Sequence, residues 1–402
     1  MNSYIQLLQE EPVLRRLSFI QLLTYFGAWF SNVAIYTLLI ELHVSATIIA
    51  FVAMLNFLAG VIQAPFSGAV IDRFAAKKLL LFFVGVTFVT TLSLVFVSER
   101  EDLPLLYVLI FVKMAAASFY FTTEMSLLPK ILKEKRLQMA NELHSMIWSL
   151  SYTLGMALSG FAVYLFGIKS AFLLDSAMFV VAFFLLYRLE LQEEYTRVQY
   201  NLLRMMQQSI VYLKNNPKAM HLMIVHAFVG LTAFDALVAL MVEVYYSSLL
   251  ATSLALGLLH AARAVGLVIG PVFLSHVVNQ KRLLYIFIAQ AFAIWIWAFV
   301  MEWFYLSLAA SVLVGFFTTT LWSYSYTLLQ KNIDEAFYGR VVAYNDMLFL
   351  TVAAGTSYGI GYLFERGFSL PNIAFFMGFG FIIAAIYYNF VLKREKIDDI
   401  YI

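Results

Sequence analysis

Four polar or charged residues lie inside long apolar stretches of the sequence, where such groups are costly and usually functional. Lys113 stands about nine residues into one stretch and Arg263 about thirteen into another, so at roughly 1.5 Å per helical residue both lie near the middle of a bilayer. Asp235 and Asn32 occupy two further stretches. Two cations at this depth favour a ligand that is anionic or bears a carboxylate. Alternatively, the cations pair with acids of the protein, of which Asp235 is the first candidate.

Each of these residues has a proposed role and a structural alternative. Asp235 is the candidate proton carrier, because burial and a neighbouring cation act in opposite directions on its protonation; pairing with a helix hydroxyl or a cation is the alternative. Asn32 can hydrogen-bond a ligand or pack between helices. Asp175 is interpreted as structural. Three residues are interpreted as belonging to the gate or the solvated mouth of the protein: Glu142, His144 and Asp346.

The elements that hold these residues are membrane helices. Of the 402 residues 63% are hydrophobic and 12% are charged, whereas a soluble domain is about 45–50% apolar and about 25% charged. A membrane helix needs roughly 20 mostly apolar residues, and only a helix satisfies its backbone groups within one such segment. The sequence therefore predicts an all-α membrane protein with twelve transmembrane helices, at 17–41, 45–71, 79–97, 104–128, 139–166, 168–188, 219–246, 251–278, 283–301, 304–329, 341–364 and 371–392.

The distribution of lysine and arginine predicts the topology. The N-terminal segment has acids before its arginines and no small-residue cleavage site, so we expect it to be retained in the cytoplasm. With this orientation, 21 of the 26 Lys and Arg residues lie on the cytoplasmic side, three lie on the opposite side and two lie inside spans. Positive charge concentrates on the inner side of membrane proteins. We therefore expect an integral, multi-pass protein of the bacterial cytoplasmic membrane with both termini in the cytoplasm.

The longest polar stretch, 189–218, divides the chain into two halves. The sequence predicts a six-helix bundle over 1–188, a cytoplasmic linker over 189–218 and a second six-helix bundle over 219–402. The linker should contain an amphipathic helix that lies on the inner membrane face or against the bundle. GVIQAP at 60–65 recurs as GLVIGP at 266–271, and LLPK at 127–130 recurs as LLQK at 328–331. Two pseudo-symmetric halves of this kind are typical of transporters.

A charged motif follows the second span. GAVIDRFAAKK at 68–78 resembles the motif Gly-x-x-x-Asp-Arg-x-Gly-Arg-Arg/Lys of the major facilitator superfamily, with Gly68, Asp72, Arg73 and Lys77 matching and two alanines replacing the second glycine and the first following base. The sequence is similar to this family over essentially its whole length. The segments SIVYLKNNPKAMHLM and LLQKNIDEAFYGRVVAYNDM resemble the branch that includes enterobactin exporters and macrolide-efflux proteins.

The resemblance implies the major facilitator fold, with spans four and eight lining a central cavity. It also implies that the motif latches the cytoplasmic side in the outward-open state. In such a gate Asp72 would face the N-terminus of span eleven, where unpaired N–H groups favour an anion, and Arg73 would pair with Glu124. The residues of this cytoplasmic gate are Gly68, Asp72, Arg73, Lys77, Glu124 and Arg340. The alternative is that these charges only set topology.

The sequence predicts a secondary active transporter working by alternating access. We expect a proton-coupled exporter, an antiporter, of a small amphipathic molecule of drug or siderophore type that can be anionic. A lysophospholipid or lipid transporter of the same fold and a non-transporting membrane sensor are the alternatives. The sequence has no Gly-x-x-x-x-Gly-Lys-Ser/Thr phosphate loop and no His-x-x-x-His or Asp-rich metal pattern. We therefore expect no enzyme, no cofactor, no metal and no nucleic-acid partner, and a monomer in the bilayer.

Overall fold

The computed structural model describes residues 2–71, 73–132, 134–191, 202–334 and 337–395. Within these ranges the chain is helical and no strand is formed. Twelve helical segments are long and apolar enough to cross a membrane. The predicted all-α fold with twelve spans is therefore confirmed.

The described part of the first half of the chain contains a short N-terminal helix and six long helices, and the bounds of the six long helices follow the predicted spans closely. These helices are α1 (Asn2–Glu10), α2 (Pro12–Glu41), α3 (Ala46–Ile71), α4 (Ala76–Ser93), α5 (Leu103–Ile131), α6 (Glu134–Phe166) and α7 (Ile168–Tyr187). Pro12 begins α2 and Pro104 lies in the first turn of α5, where a missing N–H costs no helical hydrogen bond.

The second half begins with α8 in the linker and continues through the remaining spans. Its helices are α8 (Leu202–Asn215), α9 (Pro217–Ala227), α10 (Asp235–Met241), α11 (Thr252–Leu274), α12 (Leu283–Val300), α13 (Phe304–Lys331), α14 (Tyr338–Glu365) and α15 (Leu370–Arg394). The side chain of Asn216 caps α9 by accepting a hydrogen bond from the backbone N–H of Ala219, which satisfies one of the unpaired donors of the first turn.

The chain divides into two compact units. The first unit comprises 1–42 and 66–199, and the second comprises 43–65 and 200–402. In the first unit α2 packs against α6 and α7, while α4 packs against α5 and α7. In the second unit α11 packs against α13, and α12 packs against α13 and α15. The predicted domain boundaries of two six-helix halves stay a prediction.

Span seven is not one continuous helix, contrary to the sequence prediction. After α9 the backbone narrows to a 3-10 turn (Phe228–Thr232), continues through two non-helical residues into α10 and then widens to a π-turn (Val242–Tyr246). Gly230 lies in this interruption, and a Cβ there would come within 2.7 Å of the Phe349 carbonyl oxygen and 2.9 Å of the Ala353 nitrogen in α14. The interruption therefore lies where α14 approaches too closely for any side chain at residue 230.

The linker helix α8 packs against the second unit. The ring of Tyr212 stacks on Phe337 at a centroid distance of 4.2 Å, and its hydroxyl accepts hydrogen bonds from the Asp334 backbone nitrogen at 3.0 Å and from Asn216 Nδ2 at 2.9 Å. The sequence predicts that this amphipathic helix lies either on the inner membrane face or against the bundle. The structure shows contacts with the bundle. Residues 192–201 of the predicted linker lie outside the described residues.

Candidate functional site

The lysine predicted at the middle of span four forms a buried ion pair. Lys113 Nζ of α5 lies 2.9 Å from Asp175 Oδ2 of α7, and the two residues are 4% and 0% exposed. Ser31 Oγ of α2 donates a second hydrogen bond to the same oxygen. Gly27 of α2 is required beside this pair, because a Cβ there would collide with Asp175 Oδ1. Together with Ser31, the Lys113–Asp175 pair therefore links α2, α5 and α7 of the first unit.

The partner of Lys113 differs from the sequence expectation. Asp235 was the first candidate for an acid that pairs with the mid-membrane cations, but Asp175 neutralises Lys113. The structural interpretation of Asp175 agrees with this geometry. A role for Lys113 in ligand binding stays a prediction, and so does that of Asn32, which is buried in α2. Trp29, one turn before Asn32, packs edge-on against Tyr152 at 4.7 Å.

Nearer the end of the first unit that the predicted topology places at the cytoplasm, a glutamine joins an acid and a histidine. Gln21 Nε2 of α2 donates to Glu124 Oε2 of α5 at 3.4 Å and also contacts His144 Nδ1 of α6. All three residues are buried. The rings of Tyr25 and Phe121 pack against the imidazole of His144 at 5.8 and 5.3 Å. Sequence analysis assigned Glu124 and His144 to the gate or mouth but gave Gln21 no role.

The charged motif is only partly described. Asp72 lies outside the described residues, and Gly68 lies in the last turn of α3. Arg73 is exposed, and Lys77 Nζ lies 5.9 Å from the centroid of the Tyr187 ring. Glu124 is described and hydrogen-bonds Gln21 rather than Arg73, so the expected Arg73–Glu124 pair is not formed in this structure.

Arg340 lies in the first turn of α14, as expected for the start of span eleven. Its guanidinium lies 5.3 Å from the centroid of the Phe337 ring, a distance suited to a cation–π contact. The role of the motif residues as a cytoplasmic gate stays a prediction.

In the second unit three functional candidates surround the interruption of span seven. Arg263 Nη2 of α11 donates to the Thr232 carbonyl oxygen at 2.9 Å, and its guanidinium lies 5.0 Å from the centroid of the Phe234 ring. Asp235 begins α10 directly after the interruption and is buried. His260, one turn before Arg263, interacts electrostatically with both Asp235 and Arg263. The structure thus brings together the predicted ligand-binding arginine and the predicted proton carrier.

Sequence analysis gave no role to His260 or to a second buried histidine, His226. The ring of His226 in α9 is fully buried, and its Nδ1 lies 2.8 Å from Ser325 Oγ of α13. Rings of Trp322, Tyr326 and Phe349 pack around it at centroid distances of 5.3–5.7 Å. The aromatic run LWSYSY at 321–326 was the one sequence signal for this cluster. Among the described residues no group of three or more His, Asp or Glu residues could hold a metal ion.

Twelve spans, with the buried Lys113–Asp175 ion pair inside them, define an integral, multi-pass membrane protein. The profile of the Major Facilitator Superfamily matches residues 17–356, and the chain belongs to this family.

Two curated relatives come from Bacillus subtilis (strain 168), and both are uncharacterised MFS-type transporters. YfiS is 29% identical over 170 residues, which cover 41% of this chain and 40% of YfiS. YkuC is 29% identical over 115 residues, which cover 29% of this chain and 27% of YkuC. The chain thus matches well under half the length of either relative.

Solved structures of similar fold cover nearly the whole chain. The nucleoside transporter NupG has a TM-score of 0.73 at 11% identity and covers 95% of this chain and 100% of its own. A D-xylose-proton symporter has a TM-score of 0.76 at 11% identity and covers 94% of this chain and 97% of its own. These relatives are transporters and not enzymes. None of them indicates the enterobactin-exporter or macrolide-efflux branch, which stays a prediction.

Proposed function

We propose that the protein is a secondary active transporter that works by alternating access and exports a small amphipathic molecule in exchange for protons. The observation that carries the proposal is the interruption of span seven with Arg263, Asp235 and His260 around it. Discontinuous membrane helices place unwound carbonyl groups and charged side chains at midplane sites, where transporters bind substrates and coupling ions.

Arg263 is the residue through which an anionic group of the substrate would be held. A guanidinium has five N–H donors in a fixed planar arrangement, and the contact with the Thr232 carbonyl uses one of its nitrogens. In the first unit Lys113 and Asn32 remain candidate substrate contacts. Because Asp175 neutralises Lys113, attraction for a negative charge depends chiefly on Arg263. A drug, a siderophore or a lysophospholipid with an acidic group would fit this chemistry.

Asp235 is the proposed proton carrier, and the motif residues Gly68, Asp72, Arg73, Lys77, Glu124 and Arg340 are the proposed cytoplasmic gate. A buried carboxylate beside an arginine changes its protonation when the cation moves or binds another anion. The position of Arg263 and the anion that it binds would therefore be coupled to the protonation of Asp235. A D-xylose-proton symporter shares the fold, which supports proton coupling as a mechanism for this chain.

A thermal-shift screen of the purified protein tests the substrate class. The panel contains anionic amphiphiles (catecholate siderophores, lysophospholipids, organic acids) and cationic drugs, with wild type, Arg263→Gln and Lys113→Ala. A ligand present at 100 times its Kd stabilises the folded state by about 2.7 kcal/mol. We expect anionic compounds to raise the melting temperature of wild type and to lose this effect in Arg263→Gln. Arg282→Gln is the control, because Arg282 is exposed before α12. Equal stabilisation of all variants by cationic drugs would contradict the anionic substrate.

Transport of a stabilising compound tests the coupling. In proteoliposomes with an imposed pH gradient, wild type should move the compound against its gradient. Asp235→Asn should equilibrate it without accumulation, because an amide does not titrate. Accumulation by Asp235→Asn equal to that of wild type would exclude Asp235 as the carrier.

A further inference from the structure

The first unit contains a buried carboxylate that forms no ion pair with any positive side chain that the structure describes. Glu124 is 2% exposed, and its hydrogen-bond partner is the uncharged amide of Gln21. Among the residues whose placement is described, no lysine or arginine forms an ion pair with it. Asp175 in the same unit is buried to the same degree but has Lys113 as its counter-ion. A buried charge without a partner is expensive, so protonation is the route by which Glu124 can lose that charge.

Gln21 connects this carboxylate to an imidazole. Its amide nitrogen faces both Glu124 Oε2 and His144 Nδ1, and an amide NH₂ has two hydrogens to donate. As a donor to both atoms, this amide requires a lone pair on Glu124 Oε2 and on His144 Nδ1. Rotation of the amide by half a turn presents its oxygen instead, which accepts a hydrogen bond from a protonated Glu124 and from an Nδ1–H of His144. The orientation of one amide therefore couples the protonation of Glu124 to the presence of a hydrogen on His144 Nδ1.

The described groups that interact with the carboxylate are uncharged. Tyr25 of α2 and Tyr120 of α5 interact electrostatically with Glu124. In α4, which packs on α5, the charged residues are Lys77 and Lys78 of the first turn. Lys77 lies against Tyr187 and Lys78 is exposed.

On α2, Arg15 and Arg16 are also exposed. On α6, Arg136 pairs with Glu10 and Glu11 of the N-terminal segment. None of these described cations forms an ion pair with Glu124.

The second unit has a related cluster at the equivalent positions of the internal repeat. Residues 21, 124 and 144 correspond to His226, Tyr326 and Asp346, each about 200 residues later, as do the two repeated sequence segments. His226 packs on Tyr326 at 5.3 Å, and Asp346 interacts electrostatically with Tyr326. A histidine and a carboxylate thus recur in the second unit, the carboxylate at the position equivalent to His144 and the histidine at the position equivalent to Gln21. His226 Nε2 is buried without a hydrogen-bond partner among the described residues.

We propose that Glu124, Gln21 and His144 form a second proton-binding site of the transporter, in which Gln21 couples the protonation of the acid to the hydrogen-bonding state of the imidazole. The site takes up a proton from water onto Glu124 and releases it again, with no other reactant. All three residues lie within about three helical turns of the ends that the predicted topology places at the cytoplasm. This inference deepens the proposed proton coupling by adding a site in the first unit to Asp235 in the second.

Infrared difference spectroscopy of the protein in lipid films, titrated with pH, tests this site without any substrate. A protonated buried carboxyl has its own carbonyl-stretch band. We expect wild type to show such a band that titrates, and Glu124→Gln to lose it. His144→Gln and Gln21→Leu should keep the band. The midpoint of its pH titration should shift by at least about tenfold in proton concentration, because interacting groups titrate as a pair.

Glu365→Gln is the matched control, since Glu365 is an exposed carboxylate at the end of α14; its spectrum should retain the band. If Glu124→Gln does not fold, Glu124→Asp replaces it, because this variant keeps a carboxyl group. Its carbonyl-stretch band must then differ from that of wild type in frequency or in titration midpoint. A band that is unchanged in the Glu124 variant overturns the proposal. If wild type shows the Glu124 band but no proton-driven transport, the proposed transport function is overturned instead. Failure of the proton-binding site and failure of the transport function are therefore distinguishable.

Discussion

At the scale of single residues, the Lys113–Asp175 pair shows how a charge is kept inside the first unit. Lysine and aspartate are almost completely buried, and Ser31 supplies a further hydrogen bond to the carboxylate. Desolvation makes such a pair costly to form, but removing one partner leaves an uncompensated charge and is strongly destabilising. The pair therefore constrains which single substitutions α5 and α7 tolerate.

We predict that Lys113→Met and Asp175→Leu each lower the free energy of unfolding by about 3–5 kcal/mol, whereas the double variant regains most of this loss. Denaturant unfolding of the purified protein, followed by tryptophan fluorescence, measures the three values. Lys169→Met is the control, because Lys169 is exposed at the start of α7 and its removal should change stability little. Additive effects of the two single substitutions would show that the pair has no energetic coupling.

Contacts of single residues across helices were also the features that the sequence predicted least well. Depth along a span identified Lys113, Arg263 and Asp235 as unusual, because position in an apolar segment is a local property. The acid that meets Lys113 lies on another helix, so it depends on how α5 and α7 are rotated about their axes. Gln21 and His226 gave no local signal, since one buried polar residue on an apolar helix is common.

At the scale of helices, α11 and α13 cross closely in the second unit. Gly266 of α11 faces α13, where a Cβ would collide with the Val312 carbonyl oxygen and lie 2.8 Å from the Phe316 nitrogen. Gly315 of α13 has the reciprocal position, with the Leu267 nitrogen 3.0 Å from its hypothetical Cβ. Small residues allow membrane helices to approach at the backbone. This crossing fixes α11 and therefore the placement of Arg263 beside the interruption of span seven.

We predict that Gly266→Ala lowers stability by about 1–3 kcal/mol, because the added methyl group must push two backbones apart. Gly359→Ala in α14 should instead be neutral or stabilising by up to about 1 kcal/mol, because no atom lies within 4 Å of the added Cβ and alanine favours the helix. Thermal unfolding in one detergent compares the two variants with wild type. Equal destabilisation by both substitutions would mean that helix crossing does not set the cost.

The repeat of GVIQAP as GLVIGP was the sequence signal for this crossing, since Gly266 and Gly270 both belong to the second copy. The interruption of span seven had no comparable signal. Its residues are apolar and form helices elsewhere in the chain, so a continuous helix was the natural prediction. The approach of α14 at Gly230 is a tertiary contact that a single sequence does not contain.

At the scale of the whole molecule, the topology can be tested because the chain contains no cysteine. We predict that Lys169→Cys is labelled by a membrane-impermeant maleimide in intact bacterial cells, because the predicted orientation exposes the start of α7 to the outside. Lys281→Cys, in the exposed turn before α12, should be labelled only after the membrane is permeabilised. The opposite pattern would invert the topology and place both termini outside.

The sequence by itself determined the membrane class, the twelve spans, the family and the repeat. These follow from the length of apolar segments, the asymmetry of lysine and arginine and a short charged motif, all of which can be read along the chain. The tertiary structure decided that Asp175 neutralises Lys113, that Gln21 joins Glu124 to His144, and that span seven is interrupted beside Arg263 and Asp235. Such contacts join residues that are far apart in sequence, and they depend on helix rotation and on glycine positions where backbones meet. The hydrophobic periodicity of the sequence determines neither the rotation of the helices nor the places where two backbones meet.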